Sequence, residues 1–164
     1  MYIAVDPGIH DCGVSVWRPD GQLFTAALVS NTVQIPGCDN AAPMARAVDL
    51  WYRAQCPGGP PALCIEIPQV YTRTHSKGDP NDLIDLACVV GAVMGVRSWE
   101  SITAYRPAQW KGNVPKDVTT ARALQALSVQ ERLRVVECAP SLMHNVWDAV
   151  ALGLAHLKKL GVRK

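Results

Sequence analysis

Short apolar runs divide the N-terminal part of the chain into strands. Residues 2–5 form a continuous apolar run that ends at Asp6-Pro7-Gly8, which is typical of a buried strand entering a turn. Residues 13–17 contain β-branched side chains, and Asp20-Gly21 is a strong hairpin signal ahead of a third run at residues 23–29. The pattern therefore predicts three successive antiparallel strands.

Helical and strand patterns alternate in the middle of the chain. Apolar side chains recur with helical spacing over residues 42–55, which predicts the first helix. The apolar run at residues 62–65 predicts a fourth, buried strand that ends at Glu66, and residues 101–104 predict a fifth. The middle of the chain therefore continues the sheet with strands that are separated by helices.

Three more helices are predicted from periodicity and start signals. Asp79 is suited to cap a helix that begins at Pro80 and runs to about Arg97, with apolar residues on nearly all sides. The other two, with their expected caps, are residues 117–127 with Asp117 and residues 142–160 with Ser141. With a short extended piece at 134–137, this order predicts a mixed α/β fold in one domain, residues 1–164.

Composition narrows the class of protein. The chain has 164 residues, of which 49% are hydrophobic and 18% charged, so a sizeable core can form and a disordered polymer is excluded. A net charge of +2 permits binding to a phosphate backbone but does not demand it. No apolar run is long enough to cross a membrane, and the first residues resemble a core strand rather than a signal peptide. We therefore expect a cytoplasmic protein.

Three acids stand in apolar surroundings where a metal site would need them. Asp6 ends the first strand, Glu66 ends the fourth, and Asp148 lies in the final helix between Trp147 and an apolar run. In an open α/β sheet, ligands gather at the carboxyl ends of the strands. Carboxylates this close would repel one another, and a divalent cation removes that cost. Oxygen ligands favour Mg²⁺, with Mn²⁺ as an alternative.

Each acid also has a structural interpretation. An Asp before Pro-Gly is often only a turn former, which would explain Asp6 without a metal. Glu66 is harder to explain in this way, because a Glu embedded in apolar sequence is usually paired or metal-bound. The coincidence of three such acids favours the metal site over three separate structural roles.

The final helix offers two candidates for a fourth ligand. His144 and Asn145 lie four and three residues before Asp148, and both spacings bring side chains to the same helical face. Imidazole binds Mn²⁺ better than Mg²⁺, and an amide oxygen is a weak ligand for hard cations. His144 could equally bind a backbone group at the start of the helix, so the choice stays open.

Several motifs resemble those of the RuvC-type Holliday junction resolvases. They are Ile3-Ala4-Val5-Asp6-Pro7-Gly8 with Gly13-Val14, Cys64-Ile65-Glu66, and the closing helix from Asp148-Ala149 to His156. They occur in the family's order and span residues 3–156, so their combination is more specific than any one motif. The chain looks like a compact member of that family that a phage could encode. The resemblance therefore implies a bacterial or phage-infected cell as its setting.

The resemblance carries implications for fold and activity. It implies a ribonuclease-H-like fold: a five-stranded mixed sheet, with three antiparallel strands followed by two parallel ones, flanked by helices. It also implies a homodimer with four metal-binding carboxylates, which nicks two opposed strands of a four-way DNA junction in the presence of Mg²⁺. One position departs from the family, because Asn145 stands where an acid is usual. The expected metal ligands are therefore Asp6, Glu66, Asp148 and His144 or Asn145.

Other positions are similar to the DNA contacts of the family. Tyr71 lies in a segment that looks like the family's junction-inserting aromatic segment and could stack on an unpaired base, or it could be a surface residue. Arg73 and Lys77 add positive charge to the same loop. Lys111 and Lys116 resemble the two lysines near the family's active site. Basic residues beside an aromatic suit a phosphate backbone, although a solvated loop has the same composition.

These residues support a mechanistic hypothesis and leave rivals. We expect two Mg²⁺ ions per site bridged by Asp6, with Lys111 or Lys116 neutralising charge in the transition state. One rival is another ribonuclease-H-like nuclease that acts on flaps, branched DNA or RNA–DNA hybrids. The other is a junction-binding protein that does not cleave. The helix from Pro80 to Arg97 is the expected dimer contact, since its apolar sides need cover, although core burial would also explain it.

Overall fold

One mixed sheet organises the computed structural model, which describes residues 1–33, 35–56, 58–70, 79–112 and 114–163. The strands are β1 (Tyr2–Asp6), β2 (Asp11–Trp17), β3 (Leu23–Ser30), β4 (Ala62–Glu66) and β5 (Ser101–Tyr105). They lie in the order β3-β2-β1-β4-β5. The β1–β2 and β2–β3 pairs are antiparallel, and the β1–β4 and β4–β5 pairs are parallel. The predicted five-stranded mixed sheet is confirmed.

Helices cover both faces of this sheet. They are α1 (Ala41–Gln55), α2 (Pro80–Gly95), α3 (Pro107–Trp110), α4 (Lys116–Ala126), α5 (Val129–Arg132) and α6 (Met143–Lys159), with a 3₁₀ turn at Gly37–Asn40. The core against α1 and α2 contains Ile3, Val14 and Ile65, and the core against α4 and α6 contains Trp17 and Leu23. The helices are therefore divided between the two faces, and α6 covers the face to which Asp6 and Glu66 belong.

The predicted helix starts are correct in one case and wrong in two. The Asp79 side chain accepts a hydrogen bond from the Asn81 N–H at 2.9 Å, so the predicted cap of α2 is confirmed. Asp117 lies inside the first turn of α4, whose N-cap is Pro115, and α6 begins after Leu142 with no cap from Ser141. Polar residues near a helix start thus predicted the helix but not its first residue, because chain entry is decided by packing.

Two short helices and one bridge complete the connections. The sequence pattern predicted no helix at α3 or α5, whose four residues each are too few to show a period. The extended piece at 134–137 is present as a single parallel bridge between Val135 and Ala26. No helix in the described part of the chain is long and apolar enough to cross a membrane.

Candidate active site

Strand alternation decides which side chains face α6. Ile3 and Val5 of β1, with Leu63 and Ile65 of β4, belong to the core against α1 and α2. Ala4 and Cys64 belong instead to a cluster with Leu152 of α6. Because side chains alternate between the faces of a sheet, the residues at the ends of β1 and β4 face the α6 side. Asp6 and Glu66 therefore lie on the face that Asp148 approaches from the helix.

Strand register brings the two strand-end acids to the same level. β1 and β4 are parallel, and Val5 pairs with Ile65 as the last matched pair. The next residue on each strand is an acid, Asp6 on β1 and Glu66 on β4. Neighbouring strands lie about 4.8 Å apart. The predicted convergence of these two acids at one sheet edge is thus supported by the register.

Glycines allow α6 to approach β2 closely beside Asp6. Gly13 is the cross-strand partner of Asp6, and a Cβ added at Gly13 would lie 1.9 Å from the backbone oxygen of Asn145. Further along α6, a Cβ added at Gly153 would lie 2.1 Å from the indole nitrogen of Trp17. Neither position can hold a side chain without a shift, so both glycines are required for the close packing of helix on strand.

A buried hydroxyl joins the same two elements between these glycines. The Ser15 hydroxyl donates to the Ala149 backbone oxygen at 2.8 Å and accepts from the Trp17 indole N–H at 2.9 Å. Two residues along β2 and four residues along α6 each advance the chain by about 6–7 Å, so contacts between the strand and the helix repeat at these intervals. This contact fixes the height of α6 and with it the position of Asp148.

Asp148 is buried, and no described residue pairs with its charge. The residue is 4% exposed. Within the described ranges, no residue donates a hydrogen bond to its carboxylate or forms an ion pair with it. Burying an uncompensated carboxylate is costly. Its position therefore suits a group that carries positive charge from outside the chain.

Glu66 is held on one of its two oxygens. The Trp110 indole N–H donates to Oε2 at 2.6 Å, and the Lys111 ammonium lies 3.4 Å from the same oxygen. Burial raises the pKa of Glu66; Lys111 and Trp110 lower it only in part, and the charge of Asp148 raises it further. Glu66 and Asp148 are thus close enough to repel one another, and neither is fully compensated.

The predicted ligands fit a hard divalent cation in charge and donor chemistry. Asp6, Glu66 and Asp148 supply carboxylate oxygens, which Mg²⁺ and Mn²⁺ prefer. The orphaned carboxylate of Asp148 is the observation that such a cation would explain. In the described part of the chain, no three His, Cys, Asp or Glu side chains already form a cluster that could hold a metal ion. The side chains gather at one edge but are not arranged as a closed metal cage.

The fourth-ligand candidates lie on the first turn of α6. His144 is exposed, and Asn145 is half-buried with its backbone against Gly13. Neither side chain has a hydrogen bond to Asp6, Glu66 or Asp148 among the contacts that the structure describes. His144 as a metal ligand therefore stays a prediction.

The predicted DNA contacts divide into two groups. Lys111 lies 3.4 Å from Glu66. Tyr71, Arg73 and Lys77 lie outside the described residues, and so does the side chain of Lys116. Their predicted roles in DNA binding stay predictions.

Sequence reasoning missed the contact between Trp110 and Glu66. Trp110 was noted only as an aromatic residue among basic ones. The turn at Arg106-Pro107 starts α3, and Trp110 is the last residue of that helix. The signal was faint, because a four-residue helix shows no period. The Pro after a strand was the sole local indication that the chain turns back toward Glu66.

A basic cavity adjoins this site on the side of α4. It has a volume of about 250 Å³ and lies between α3, α4 and α6. Its lining includes Trp110 and four cationic side chains, Lys111, Arg122, Lys158 and Arg163. Arg163 is already paired with Glu131 and Lys111 with Glu66. Glu66, which the described residues hold on one oxygen only, thus lies beside a wall of cationic side chains.

Solved structures of RuvC and of a Holliday junction resolvase are similar to this chain. One is Thermus thermophilus RuvC in complex with a Holliday junction substrate, with a TM-score of 0.58, 23% identity, and coverage of 99% of this chain and 97% of that one. A second Thermus thermophilus RuvC structure has a TM-score of 0.60 and 22% identity over 99% and 98% of the two chains. The yeast mitochondrial Holliday junction resolvase Ydc2 has a TM-score of 0.52 and 7% identity over 97% and 83%.

These likenesses define the class of fold. The chain has the ribonuclease-H-like fold, as predicted, and the structural resemblance to RuvC-type resolvases that the sequence motifs indicated is confirmed. A comparison with protein-family models finds no match, and neither does a comparison with curated protein sequences.

Proposed function

We propose that this protein is a Holliday junction resolvase, a metal-dependent endonuclease that makes paired symmetric nicks in four-way DNA junctions. The observation that carries the proposal is the placement of Asp6 and Glu66 at the ends of the paired parallel strands β1 and β4, with Asp148 near enough to raise the pKa of Glu66. Two of the three structures compared are named RuvC, and one of these is in complex with a Holliday junction substrate. The third is named a Holliday junction resolvase. The proposed substrate is therefore branched DNA.

The three acids would hold Mg²⁺, or Mn²⁺ in its place, with His144 or Asn145 as a further ligand. When bound, such ions supply an activated water and stabilise the leaving oxygen in phosphodiester hydrolysis. The carboxylates of Glu66 and Asp148 are under-compensated on the face that DNA would meet. Glu66 is bound by Trp110 and Lys111 on one oxygen only among the described residues, so both acids keep negative charge that a cation would compensate.

Lys111 has a separate role in this scheme. Its ammonium lies at the sheet edge, 3.4 Å from Glu66 and 4.8 Å from the centre of the Trp110 ring. A positive charge at that edge would stabilise the additional negative charge that develops on a phosphate during attack. It would also help to draw the DNA backbone toward the acids.

A homodimer follows from the need for two nicks in opposed strands, since C2 symmetry presents two equivalent sites. The outward face of α2 is the proposed contact. Ile84 is 59% exposed there, and Gly91 and Gly95 are exposed with no atom within 4 Å of an added Cβ. Sedimentation of the purified protein as a monomer at micromolar concentration, with and without junction, would contradict this part of the proposal.

The central test is cleavage of a synthetic four-way junction in Mg²⁺ and in Mn²⁺, beside a flap and an RNA–DNA hybrid of the same sequence. We expect paired nicks in the junction and little cleavage of the other two substrates. Asp6→Asn should remove the activity and retain junction binding. Faster cleavage of the flap or the hybrid would instead favour a general ribonuclease-H-like nuclease. Junction binding without nicking in either metal would favour a non-cleaving binding protein.

A further inference from the structure

Trp110 reaches Glu66 from a different part of the chain. It is 44 residues away in sequence, and its indole N–H makes a 2.6 Å hydrogen bond to Glu66 Oε2. Hydrogen bonds to an ionised carboxylate are stronger and shorter than neutral ones. Trp110 is half-buried, so this bond is partly shielded from water. The contact is thus a strong constraint on one oxygen of a candidate metal ligand.

The helix that carries Trp110 is itself held in place. The Arg106 N–H donates to the Gln109 side chain at 2.7 Å, which closes the start of α3. From α6, the Lys159 ammonium donates to the Gln109 backbone oxygen at 2.9 Å. β5 and β4 remain paired up to Glu66, whose partner is Tyr105. The indole therefore approaches Glu66 from a frame that is anchored on both sides.

Both polar contacts of Glu66 converge on the same oxygen. Trp110 and Lys111 are on Oε2, and no described residue donates a hydrogen bond to Oε1. A carboxylate bound through one oxygen cannot rotate freely, so its other oxygen has a defined direction. A metal ligand needs such a fixed direction, and groups that orient ligands tune metal affinity.

We propose that Trp110 is a positioning residue that orients Glu66 for metal binding, so that Oε2 is held by the protein and Oε1 is presented to the cation. This inference rests on the proposed function, because it assumes that Glu66 binds a metal. Lys111 compensates charge on Oε2, whereas Trp110 supplies direction. The two neighbours therefore contribute different things to the same carboxylate.

The first test measures metal affinity apart from turnover. Mn²⁺ is titrated into the wild type, Trp110→Phe and Trp99→Phe, and the concentration of unbound Mn²⁺ is followed by electron paramagnetic resonance. Trp99 is the matched control, because its indole N–H also donates a hydrogen bond, to the Met94 backbone oxygen at 3.0 Å. We expect Trp110→Phe to weaken Mn²⁺ binding roughly tenfold to a hundredfold, the range for groups that orient metal ligands. Trp99→Phe should leave it unchanged.

A second measurement uses the unmodified protein and does not depend on the variant's folding. Each of the five tryptophans gives one indole N–H resonance in a ¹⁵N spectrum. Addition of Mg²⁺ should shift the resonance of Trp110, because the cation withdraws charge from the carboxylate that accepts its hydrogen bond. The resonance of Trp99 should stay in place.

The outcomes separate this inference from the proposed function. If the wild type cleaves junctions and binds Mn²⁺, but Trp110→Phe binds Mn²⁺ as tightly, Trp110 does not position Glu66 and the function stands. Equal losses in Trp110→Phe and Trp99→Phe would show a general structural effect and would also overturn the inference. A Trp110 indole resonance that does not shift on addition of Mg²⁺ would also overturn the inference. Absence of both Mn²⁺ binding and cleavage in the wild type would overturn the proposed function and the inference together.

Discussion

Two glutamates of this protein, the buried Glu131 and the half-buried Glu66, have opposite surroundings. Glu131, at the start of α5, accepts hydrogen bonds from Arg163, the Leu23 N–H and Ser128 on its two oxygens. Burial alone would raise the pKa of Glu131, but these hydrogen bonds outweigh it and lower the pKa to about 2. Among the described residues, Glu66 has contacts on one oxygen only, and burial raises its pKa. One carboxylate is saturated by the fold and the other is not.

The two buried aspartates repeat the contrast. Asp49 is 7% exposed and forms ion pairs with Arg53 at 2.9 Å and Arg97 at 3.2 Å. Asp148 is 4% exposed and lacks such a partner within the described residues. Glu131 and Asp49 show that this fold can supply its buried acids with hydrogen bonds and ion pairs. Glu66 and Asp148 lack this saturation among the described residues, and such acids are candidates for a functional site.

Neutralising Asp148 and Asp49 in separate variants tests this contrast most strongly. Asp148→Asn should lower junction cleavage at least about a hundredfold, since a metal ligand contributes several kcal/mol to the transition state. Its melting temperature without metal should not fall, because the substitution removes an unpaired buried charge. Asp49→Asn should show the reverse, with a lower melting temperature and retained cleavage per folded molecule.

Cleavage kinetics and thermal unfolding of both variants check this contrast. Retained cleavage in Asp148→Asn would remove Asp148 from the site. A large loss of stability in that variant would mean that Asp148 has a structural partner.

The approach of α6 to β2 is tested at Gly13. Gly13→Ala should destabilise the protein by about 3 kcal/mol, because the new methyl would overlap the Asn145 backbone and overpacking is costly. Cleavage should fall as well, since α6 and Asp148 must move. Gly59→Ala is the control, as nothing lies within 4 Å of its added Cβ. Urea denaturation measures the stabilities, and a Gly13→Ala variant as stable as the wild type would contradict the close packing.

Glu131 predicts a pH dependence of stability that does not involve the candidate site. Its folded pKa of about 2 lies below the ordinary value of 4.5, so its ionised form stabilises the fold above pH 4.5. That contribution, about 3 kcal/mol, is lost as the pH falls from 4.5 toward 2. Glu131→Gln should lack this part of the acid sensitivity and keep its cleavage activity.

Urea denaturation at a series of pH values, with the exposed Glu137→Gln as control, measures this contribution. The same pH dependence in Glu131→Gln and in the wild type would contradict the saturated geometry of Glu131.

The smallest expected effect concerns the hydroxyl between β2 and α6. Ser15→Ala should cost about 1–2 kcal/mol, because the buried Trp17 indole N–H loses its acceptor. Ser30→Ala removes an exposed hydroxyl, whose loss should change stability by less than about 0.5 kcal/mol. Equal effects of the two substitutions in thermal unfolding would show that the Ser15 contact does not hold α6.

The sequence by itself determined the strands, their order along the chain and the acids that end two of them. These features depend on near neighbours, since alternation and turn residues act over a few positions. The alternation also settles the face to which Asp6 and Glu66 point once the sheet is built. Asp148 could be proposed as a site residue from its apolar surroundings together with the two strand-end acids.

Only the tertiary structure decided how the acids are held. The sequence did not indicate that Gly13 would admit the backbone of Asn145, or that Trp110 would return to Glu66. The physical reason is that these contacts join segments far apart in sequence, whose meeting depends on the packing of whole helices against the sheet. Local patterns thus predict which residues are available for chemistry, whereas long-range packing decides which carboxylates the fold supplies with partners.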